Sequence, residues 1–418
     1  MNIQRKLLDT KLKIDWLLII LTFLLMSCGI VLVYSATQNS SDVFYKTYWF
    51  RQIIYFIVGS FAAAIISLIK IDYFKRLAFP MYFLSLAGLV FILFSGGDLV
   101  KGATRWIDLG FFKIQPSEFA KLAYLIVYSH WLAKHPVSFF NLKSFAVPTI
   151  LFLVPFALVL RQPDLSTALV FIAISLSCFY WVGLTTLDMF LLISPFLSVL
   201  LSISKFAYSQ FFWGFLICLV TLTLFYRKLP KLVTSVFFLA NVFAGYVSSM
   251  VWALLKPHQQ KRVETFLDPM NDPLGDGYQV LQSMTAIGSG GTYGKGFGAG
   301  SQTNLSFLPE EHTDFIFSVL GEQFGFLGSL LILILFFLFL WRALSISKLY
   351  EEPFVNLMVV SVTSVFFFHI IVNIAMTLGL MPVTGLPLPF LSYGGSFAIA
   401  SVVMVGFLLA MRYQGGNR

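Results

Sequence analysis

Three carboxylates stand close together in the turn-rich stretch FLDPMNDPLGDGYQ, residues 266–279 of a chain that is otherwise mostly apolar. Asp268, Asp272 and Asp276 follow one another among prolines and glycines, which favour tight turns. A carboxylate that such turns hold rigidly can act as a general base, and a positioned base contributes about 10² to 10⁴ in rate. This stretch is therefore the first candidate for chemistry.

A second candidate is a pair of opposite charges inside an apolar run, in the segment QPSEFAKLAY. Glu118 and Lys121 are three residues apart, so a helix places them on one face, where each can neutralise the other. A charge at mid-membrane costs about 2.5 to 3.5 kcal/mol on insertion scales, which makes such residues functional candidates. The alternative is an ion pair that only locks two helices near the interface, and the spacing favours neither interpretation.

Two further polar groups lie at the ends of apolar runs. In RQPDLSTALV, Arg161 and Asp164 stand at a break between two runs, and we expect Asp164 to cap the following helix. In LPEEHTDFIF, Thr313 or Asp314 can cap the next helix, while His312 adjoins two acids. A histidine beside carboxylates can indicate a metal, but a lone histidine is weak evidence for a dedicated site.

Two glycine-rich segments complete the candidates. MPVTGLPLPFLSYGGS, residues 381–396, cannot form a regular lipid-facing helix, so its backbone must be buried in protein or line a cavity, and we expect a cavity. GSGGTYGKGFGAG, residues 288–300, lacks the G-x-x-x-x-G-K-[ST] pattern of a phosphate-binding loop. We interpret it as flexible backbone that approaches a ligand or closes over it.

The composition of the chain predicts which secondary-structure elements position these residues. The chain has 418 residues, of which 58% are hydrophobic and 11% charged, far more apolar than a soluble domain. A bilayer core about 30 Å thick needs roughly 20 apolar residues per helix. The sequence therefore predicts an all-α polytopic integral membrane protein, a single membrane domain over 1–418. Its three cysteines lie inside hydrophobic runs, where we interpret them as packing residues.

Twelve apolar runs are candidate membrane spans. A helix is also expected beyond the aspartates, where Tyr278, Leu281, Met284 and Ile287 recur at helical spacing. The twelve runs are 15–35, 49–69, 78–95, 118–133, 146–160, 165–183, 189–203, 211–226, 232–254, 314–341, 355–380 and 393–411.

The distribution of basic residues predicts the orientation. With both termini in the cytoplasm, 16 of the 28 Lys and Arg residues fall in cytoplasmic segments. The long loop 256–313 then faces outward, so any chemistry is extracytoplasmic. The net charge of +9 requires no nucleic-acid partner, because contact with anionic lipid explains it better.

Five separated motifs together resemble the SEDS family of peptidoglycan glycosyltransferases, whose members include RodA and FtsW. They are GATRWIDLGFFKIQPSEFAKL, RQPDLSTALV, DPLGDGYQVLQSMTAIGSGG, FLPEEHTDFIFSVLGE and TGLPLPFLSYGGS, in the family's order. The segments GSGGTYGKG and SQTNLSFLPEEHTDFIF are closer to RodA, the elongation enzyme, than to FtsW. The family usually has ten spans, whereas this sequence has twelve predicted runs. The two additional runs indicate an extra transmembrane hairpin at 204–255. Because a hairpin adds two spans, the loop that carries Asp272 still faces outward.

The resemblance implies polymerisation of lipid II at the outer face of the bacterial inner membrane. A carboxylate takes the proton of the attacking 4-hydroxyl, and cations assist departure of undecaprenyl pyrophosphate. Asp272 matches the family's essential carboxylate, which leaves Asp268 and Asp276 as rim charges. The expected substrate-binding residues are Arg105, Gln115, Glu118, Lys121, Arg161, Asp164, His312 and Asp314.

The resemblance also implies a class B penicillin-binding protein as partner. A divalent cation, Mg²⁺ or Mn²⁺, is compatible with a diphosphate that meets several carboxylates, but no ligand spacing establishes it. Three alternatives remain: a lipid II flippase, an FtsW-like septal polymerase and a non-enzymatic scaffold for cell-wall enzymes. A flippase predicts a polar path through both leaflets, whereas the dense polar clusters of this sequence lie on the outer side only.

Overall fold

The structure, a computed structural model, describes residues 14–38, 47–95, 98–100, 103–108, 113–203, 209–254, 257–267, 276–304 and 310–414. Ten of the described helices are long and apolar enough to cross a membrane. The prediction of an all-α polytopic membrane protein is therefore confirmed. Helices also occupy the other two predicted runs, as Pro116–Lys134 and the shorter Thr186–Leu201.

The helices follow one another with short connections at most points of the described chain. In order they are α1 Trp16–Thr37, α2 Tyr48–Leu68, α3 Ile71–Ser95, α4 Pro116–Lys134, α5 Ala146–Arg161, α6 Leu165–Val182, α7 Thr186–Leu201, α8 Ser209–Arg227, α9 Lys231–Leu254, α10 Pro257–Leu267, α11 Asp276–Ser289, α12 Ser301–Asn304, α13 Ile316–Ser345, α14 Pro353–Thr377 and α15 Gly395–Gln414. Helix α11 is the short helix that the spacing of Tyr278 to Ile287 predicts.

A small antiparallel sheet between α3 and α4 is absent from the sequence-based prediction. Its strands are β1 Asp98–Val100, β2 Ala103–Asp108 and β3 Lys113–Ile114, in the order β1-β2-β3. Ile107 pairs with Ile114, which brings the chain back directly to the start of α4. The sheet thus fixes where α4 enters the bundle.

Helices α4, α14 and α15 form the buried centre of the bundle. Helix α15 packs along α2, while α4 contacts α3, α6, α14 and α15. The α2–α15 contact is a seam of small residues, since a Cβ added to Gly406 would stand 2.7 Å from the Cα of Ala63. Gly59 is also closely packed, though less tightly, because its added Cβ would lie 3.3 Å from the Cα of Ile399. Small residues allow helix backbones to approach closely, which is how helices associate in lipid.

A charged cluster joins three helices at the end of the bundle where α1 begins. Asp15 accepts from the backbone N–H of Leu18 at 3.1 Å and so caps α1. Its carboxylate also pairs with Arg342 of α13 at 2.7 Å and lies 3.8 Å from Nε of Arg412 of α15. The start of α1 and the ends of α13 and α15 therefore share one end, which we call the basic end.

The hairpin α8–α9, in the predicted 204–255 region, is anchored to α7 by polar contacts. Arg227 donates from Nε and Nη2 to the two oxygens of Asp188, at 3.0 and 2.9 Å. Buried Asn241 donates to Ser194 Oγ at 2.9 Å and accepts from Ser198 Oγ at 2.7 Å. Hydrogen bonds between apolar helices in lipid give such a hairpin a defined docking position.

Candidate functional site

The charged pair at the start of α4 lies deep inside the bundle. Pro116 occupies the first turn of the helix, where its missing N–H costs nothing. Two residues later the helix turns Glu118 and Lys121 to the same side, and Oε1 and Nζ are 2.8 Å apart. The residues are only 4% and 1% exposed, so the pair is buried. Charges in this environment persist only when they are paired, as these are.

The pair retains hydrogen-bonding capacity. Glu118 Oε2 has no hydrogen-bond partner among the described residues, and Lys121 Nζ meets Glu118 at ion-pair distance but outside hydrogen-bond geometry. Nζ also stands 5.5 Å from the ring centroid of Phe397, a cation–π contact. Buried donors and acceptors left open in this way could be used by a ligand.

His369 of α14 belongs to the same cluster, and sequence reasoning missed it. Its ring stacks on Phe397 with centroids 4.7 Å apart and planes inclined by 24°. Nδ1 lies 3.1 Å from the carbonyl oxygen of Pro387 and must carry the proton, because a carbonyl only accepts. Nε2 is buried without a hydrogen-bond partner among the described residues. The sequence could have identified His369, because it is a titratable residue inside the apolar run VFFFHIIVN.

Gln115 and Asp164 meet beside this cluster. Gln115 Nε2 donates to Asp164 Oδ2 at 3.3 Å, and its backbone N–H donates to Ser396 Oγ at 3.1 Å. Asp164 also accepts from the backbone N–H of Thr167 at 3.1 Å, which makes it the N-cap of α6. The predicted capping role is confirmed, with a link to α4 in addition. Arg161 ends α5 as an exposed residue.

The segment 310–315 is bound to the loop that follows α14. Tyr393 N–H donates to the carbonyl of His312 at 2.8 Å, and Ser392 Oγ donates to that of Thr313 at 2.6 Å. Asn373 of α14 donates to the carbonyl of Asp314 at 2.9 Å and to that of Leu386 at 2.8 Å. One segment is therefore held against both the loop and α14.

The predicted capping of α13 by Thr313 or Asp314 is wrong. The N-cap is Phe315, and no side chain caps the helix. The carboxylate of Asp314 lies instead over Gly385, where an added Cβ would be 3.3 Å from Oδ2. Gly385 has a φ of +74°, a conformation that favours glycine. The His312 ring contacts Tyr48 of α2, with centroids 4.2 Å apart.

The second half of the irregular loop after α14 is buried in protein, whereas residues 381–384 are half-buried and Gly385 is exposed. Leu386, Leu388, Phe390 and Leu391 are at most 2% exposed. This half meets the first of the two alternatives that the sequence predicts for the backbone, burial in protein. In the first half, Met381, Pro382 and Val383 line a small cavity of about 10 Å³. Gly29 of α1 allows the approach, because an added Cβ would stand 2.1 Å from the carbonyl oxygen of Phe390.

The segment 288–300 uses its glycines differently from the prediction. Helix α13 is interrupted at Gly325, with φ of 63° and ψ of −159°, and the segment pairs with the interruption. Lys295 and Gly296 N–H groups each donate at 3.0 Å to the carbonyls of Glu322 and Gln323. In the other direction, N–H groups of α13 donate to carbonyls of the segment, Phe326 to Gly291 at 2.9 Å and Leu327 to Thr292 at 3.1 Å. These glycines approach a helix backbone.

An acidic pair lies where this segment meets α13. Glu322 is fully buried and accepts from Lys295 Nζ at 2.8 Å and from Gln302 N–H at 3.0 Å. Burial raises the pKa of Glu311 to about 8, and the nearby Glu322 carboxylate raises it as well. Glu311 Oε2 has no hydrogen-bond partner among the described residues. Glu311 is consequently mostly protonated at pH 7.

The predicted site residues fall into three groups. Gln115, Glu118, Lys121 and Asp164 are brought together with Ser396 and Phe397, and the loop 381–396 joins them to His312 and Asp314. Arg161 takes no part in these contacts. Arg105 lies in β2, and the structure describes only its backbone. Asp268 and Asp272 lie outside the described residues. Asp276 begins α11.

Comparison with known proteins finds a family and several full-length relatives. The chain matches the family model FTSW_RODA_SPOVE, described as cell cycle protein, over residues 15–228 and 214–415. It is 34% identical to the peptidoglycan glycosyltransferase RodA of Treponema pallidum, over 95% of this chain and 97% of that protein. It is 35% identical to the peptidoglycan glycosyltransferase MrdB of Escherichia coli K12, over 75% and 72% of the two chains.

Solved structures share the fold. One, described as "Structural coordination of polymerization and crosslinking by a peptidoglycan synthase complex", matches with a TM-score of 0.73 and 29% identity over 97% of this chain and 99% of that one. The crystal structure of the rod shape determining protein RodA of Thermus thermophilus matches with a TM-score of 0.63 over 97% and 99% of the two chains. At 24% identity, the second likeness concerns the fold alone.

Proposed function

Because the chain belongs to the FTSW_RODA_SPOVE family of cell cycle proteins, we propose that it is a peptidoglycan glycosyltransferase that polymerises lipid II during cell-wall elongation. The observation that carries the proposal is similarity over nearly the whole length to relatives named for this activity. The RodA-like motifs favour elongation. A relative named as a probable FtsW is also 34% identical, so septal synthesis is the alternative function.

The buried charges supply what the leaving group needs. Departure of undecaprenyl pyrophosphate places negative charge on a diphosphate, which a preorganised cation stabilises. Lys121 is such a cation, because Glu118 and the Phe397 ring hold it in place while its N–H groups remain unsatisfied by the described residues. Gln115 and Asp164, linked at 3.3 Å, fix the start of α4 relative to α6 and so hold this lysine in position.

Asp272 is the proposed general base. It would accept the proton of the 4-hydroxyl as that oxygen attacks the anomeric carbon of a second lipid II, while the bond to the diphosphate breaks. Arg105 is a second candidate for the diphosphate. The described residues include no cluster of three or more His, Cys, Asp or Glu side chains, and Asp268 and Asp272 lie outside them, so a divalent cation at the diphosphate, Mg²⁺ or Mn²⁺, stays a prediction.

We propose a class B penicillin-binding protein as partner, since a similar structure is described as a peptidoglycan synthase complex. The protein is a multi-pass membrane protein, and we propose that it lies in the bacterial inner membrane with both termini in the cytoplasm. The active end would then be the outer one, which is opposite the basic end.

The test is incubation of the purified chain with labelled lipid II, with and without the partner, and separation of the glycan products. Asp272→Asn keeps the size of the side chain and removes the basic carboxylate. We expect it to insert and bind the partner normally while making no polymer. Asp268→Asn and Asp276→Asn are matched controls and should retain at least part of the activity. Polymer formation by Asp272→Asn at the parental rate would exclude this base.

A further inference from the structure

A charged cleft lies at the basic end of the bundle, at the far end of α4 from Glu118 and Lys121. It is formed by the first turns of α3 and the last turns of α4, and has a volume of about 370 Å³. Its lining residues are Asp72, Lys75, Arg76, His130 and Lys134. We propose that this cleft binds the phosphate-bearing headgroup of an anionic membrane lipid. The proposal is independent of the enzymatic function.

The charges of the cleft leave two cations available. Lys75 is occupied on both sides, by an ion pair with Glu352 at the start of α14 and by Asp72 at 3.9 Å. Arg76 and Lys134 are exposed, and neither forms an ion pair or hydrogen bond with any residue of the described chain. With Glu352 counted, three cations and two carboxylates surround the cleft, a net charge of +1, and the two exposed cations face an opening large enough for a phosphate group.

Aromatic rings hold the inner side of the cleft in place. Lys75 Nζ lies 5.4 Å from the ring centroid of Phe354, a cation–π contact. The His130 ring meets Phe354 edge-on at 6.1 Å and Phe79 at 6.3 Å. These contacts come from three helices, so the lysine and histidine are positioned by the fold, unlike solitary basic residues on a loop.

A lipid fits this site better than free phosphate because the cleft opens beside a lipid-facing surface. On α3, Tyr73, Leu77 and Leu84 are 53%, 47% and 75% exposed, and they follow one another at helical spacing. Acyl chains can lie along such a surface while the headgroup enters the cleft. Basic residues near an anionic leaflet each contribute to lipid attraction, and the distribution of Lys and Arg predicts that this end faces the cytoplasmic leaflet.

The test measures lipid binding by native mass spectrometry of the purified, delipidated full chain titrated with phosphatidylglycerol or with zwitterionic phosphatidylcholine. We expect the parent to bind phosphatidylglycerol more tightly than phosphatidylcholine. The double variant Arg76→Gln/Lys134→Gln should weaken phosphatidylglycerol binding about tenfold and leave phosphatidylcholine binding unchanged. Exchanging the two residues for each other, as Arg76→Lys/Lys134→Arg, keeps the charge and should preserve binding.

The matched control is Lys143→Gln/Lys348→Gln, which removes two exposed charges predicted on the same side but outside the cleft. An equal loss in both double variants would show general attraction of charge and overturn the proposal. Displacement of the bound lipid by inorganic phosphate at equal concentration would assign the cleft to free phosphate instead. Binding of phosphatidylglycerol that is unchanged in Arg76→Gln/Lys134→Gln would also overturn it.

Discussion

The ammonium group of Lys121 is stabilised inside an apolar bundle by one carboxylate and one aromatic face. Glu118 supplies the charge at 2.8 Å and Phe397 the ring at 5.5 Å. Attraction in a medium of low dielectric constant offsets the loss of hydration only while both partners are present. The two side chains should therefore behave as one unit when either is changed.

Glu118→Gln or Lys121→Met alone should each destabilise the protein by about 3 to 5 kcal/mol, because each leaves an uncompensated buried charge. The double variant should lose much less than the sum, because it leaves neither charge. Thermal unfolding in detergent measures stability, and polymer formation from lipid II measures activity. As a control, Lys121→Met combined with Asp188→Asn should be additive, since Asp188 pairs with Arg227. Additivity in the Glu118/Lys121 double variant would contradict the coupling.

Glu311 makes stability depend on pH. Its pKa is about 8 in the folded chain against an ordinary value of 4.5, so between these values the folded state binds a proton that the unfolded state has lost. The free energy of unfolding should then decrease as pH rises from about 4.5 to about 8. Glu311→Gln removes this contribution, so its unfolding midpoint should rise relative to the parent over the same range.

Unfolding scans at several pH values check the Glu311 prediction. The exposed Glu351 provides the control, and Glu351→Gln should follow the parent at every pH. A Glu311→Gln midpoint that runs parallel to the parent's from pH 5 to pH 8.5 would count against a protonated Glu311.

Residue types and spacing predicted part of the site and missed the rest for physical reasons. The Glu118–Lys121 pair and the cap by Asp164 are local in sequence, so helical geometry alone gives them. The stacking of His369 on Phe397 joins two helices, and no local pattern encodes which helices are neighbours. The role of Asp272 remains a prediction.

At the scale of elements, the glycine segment 288–300 and helix α13 complete each other. The break in α13 and the turns of the segment both leave backbone N–H and C=O groups that need partners outside their own element. Hydrogen bonds donated by the segment to α13, and by α13 to the segment, satisfy these groups. Close approach is possible only without Cβ atoms, since one added to Gly294 would lie 2.1 Å from the carbonyl oxygen of Gln323. Sequence composition indicated unusual backbone in this segment. In α13, Gly325 permits the break because glycine adopts a positive φ, but no local pattern identifies the segment that pairs with it.

Three alanine substitutions separate the effects of helix propensity, positive φ and backbone collision on stability. Gly288→Ala in α11 meets open space and should leave stability unchanged or raise it by up to about 1 kcal/mol. Gly291→Ala also has space but a φ of +57°, so it should cost about 1 to 2 kcal/mol. Gly294→Ala adds a backbone collision and should cost clearly more than Gly291→Ala. Thermal unfolding gives the order.

Hydrogen exchange at the amides of Lys295 and Gly296 reports the pairing directly. Exchange there should accelerate strongly in Gly294→Ala and stay near the parental rate in Gly288→Ala. Equal stability and equal protection in Gly294→Ala and Gly291→Ala would mean that the segment is not held against α13 as described.

At the scale of the whole molecule, the twelve helices follow the apolar runs closely, because membrane thickness sets helix length. The largest shift is at the start of α3, which begins seven residues before the predicted run because polar residues extend the helix, whereas α14 ends three residues before its run does. The three short strands between α3 and α4 escaped prediction, since segments of two to six residues carry little periodic signal.

The predicted orientation can be checked with single cysteines in a chain whose Cys28, Cys178 and Cys218 are replaced by serine. Tyr293→Cys, in the exposed part of the glycine segment, should react with a membrane-impermeant maleimide in intact spheroplasts. Lys143→Cys should react only after the membrane is permeabilised, because the basic loops stay in the cytoplasm. Labelling of Lys143→Cys in intact spheroplasts would reverse the orientation and with it the proposed active face.

The small-residue seam between α2 and α15 joins two membrane helices that are far apart in the order of synthesis. Gly59 and Ala63 contact a helix that begins at Gly395, more than 300 residues later in the chain. At about 5 to 20 residues per second, a ribosome needs roughly 15 to 65 s to synthesise that interval. During this time α2 resides in the membrane with lipid, or with a helper of membrane insertion, against its small-residue face. The packing of α2 against α15 therefore forms only after α15 is synthesised, and a chain truncated before α15 would lack one of the three helices of the buried centre.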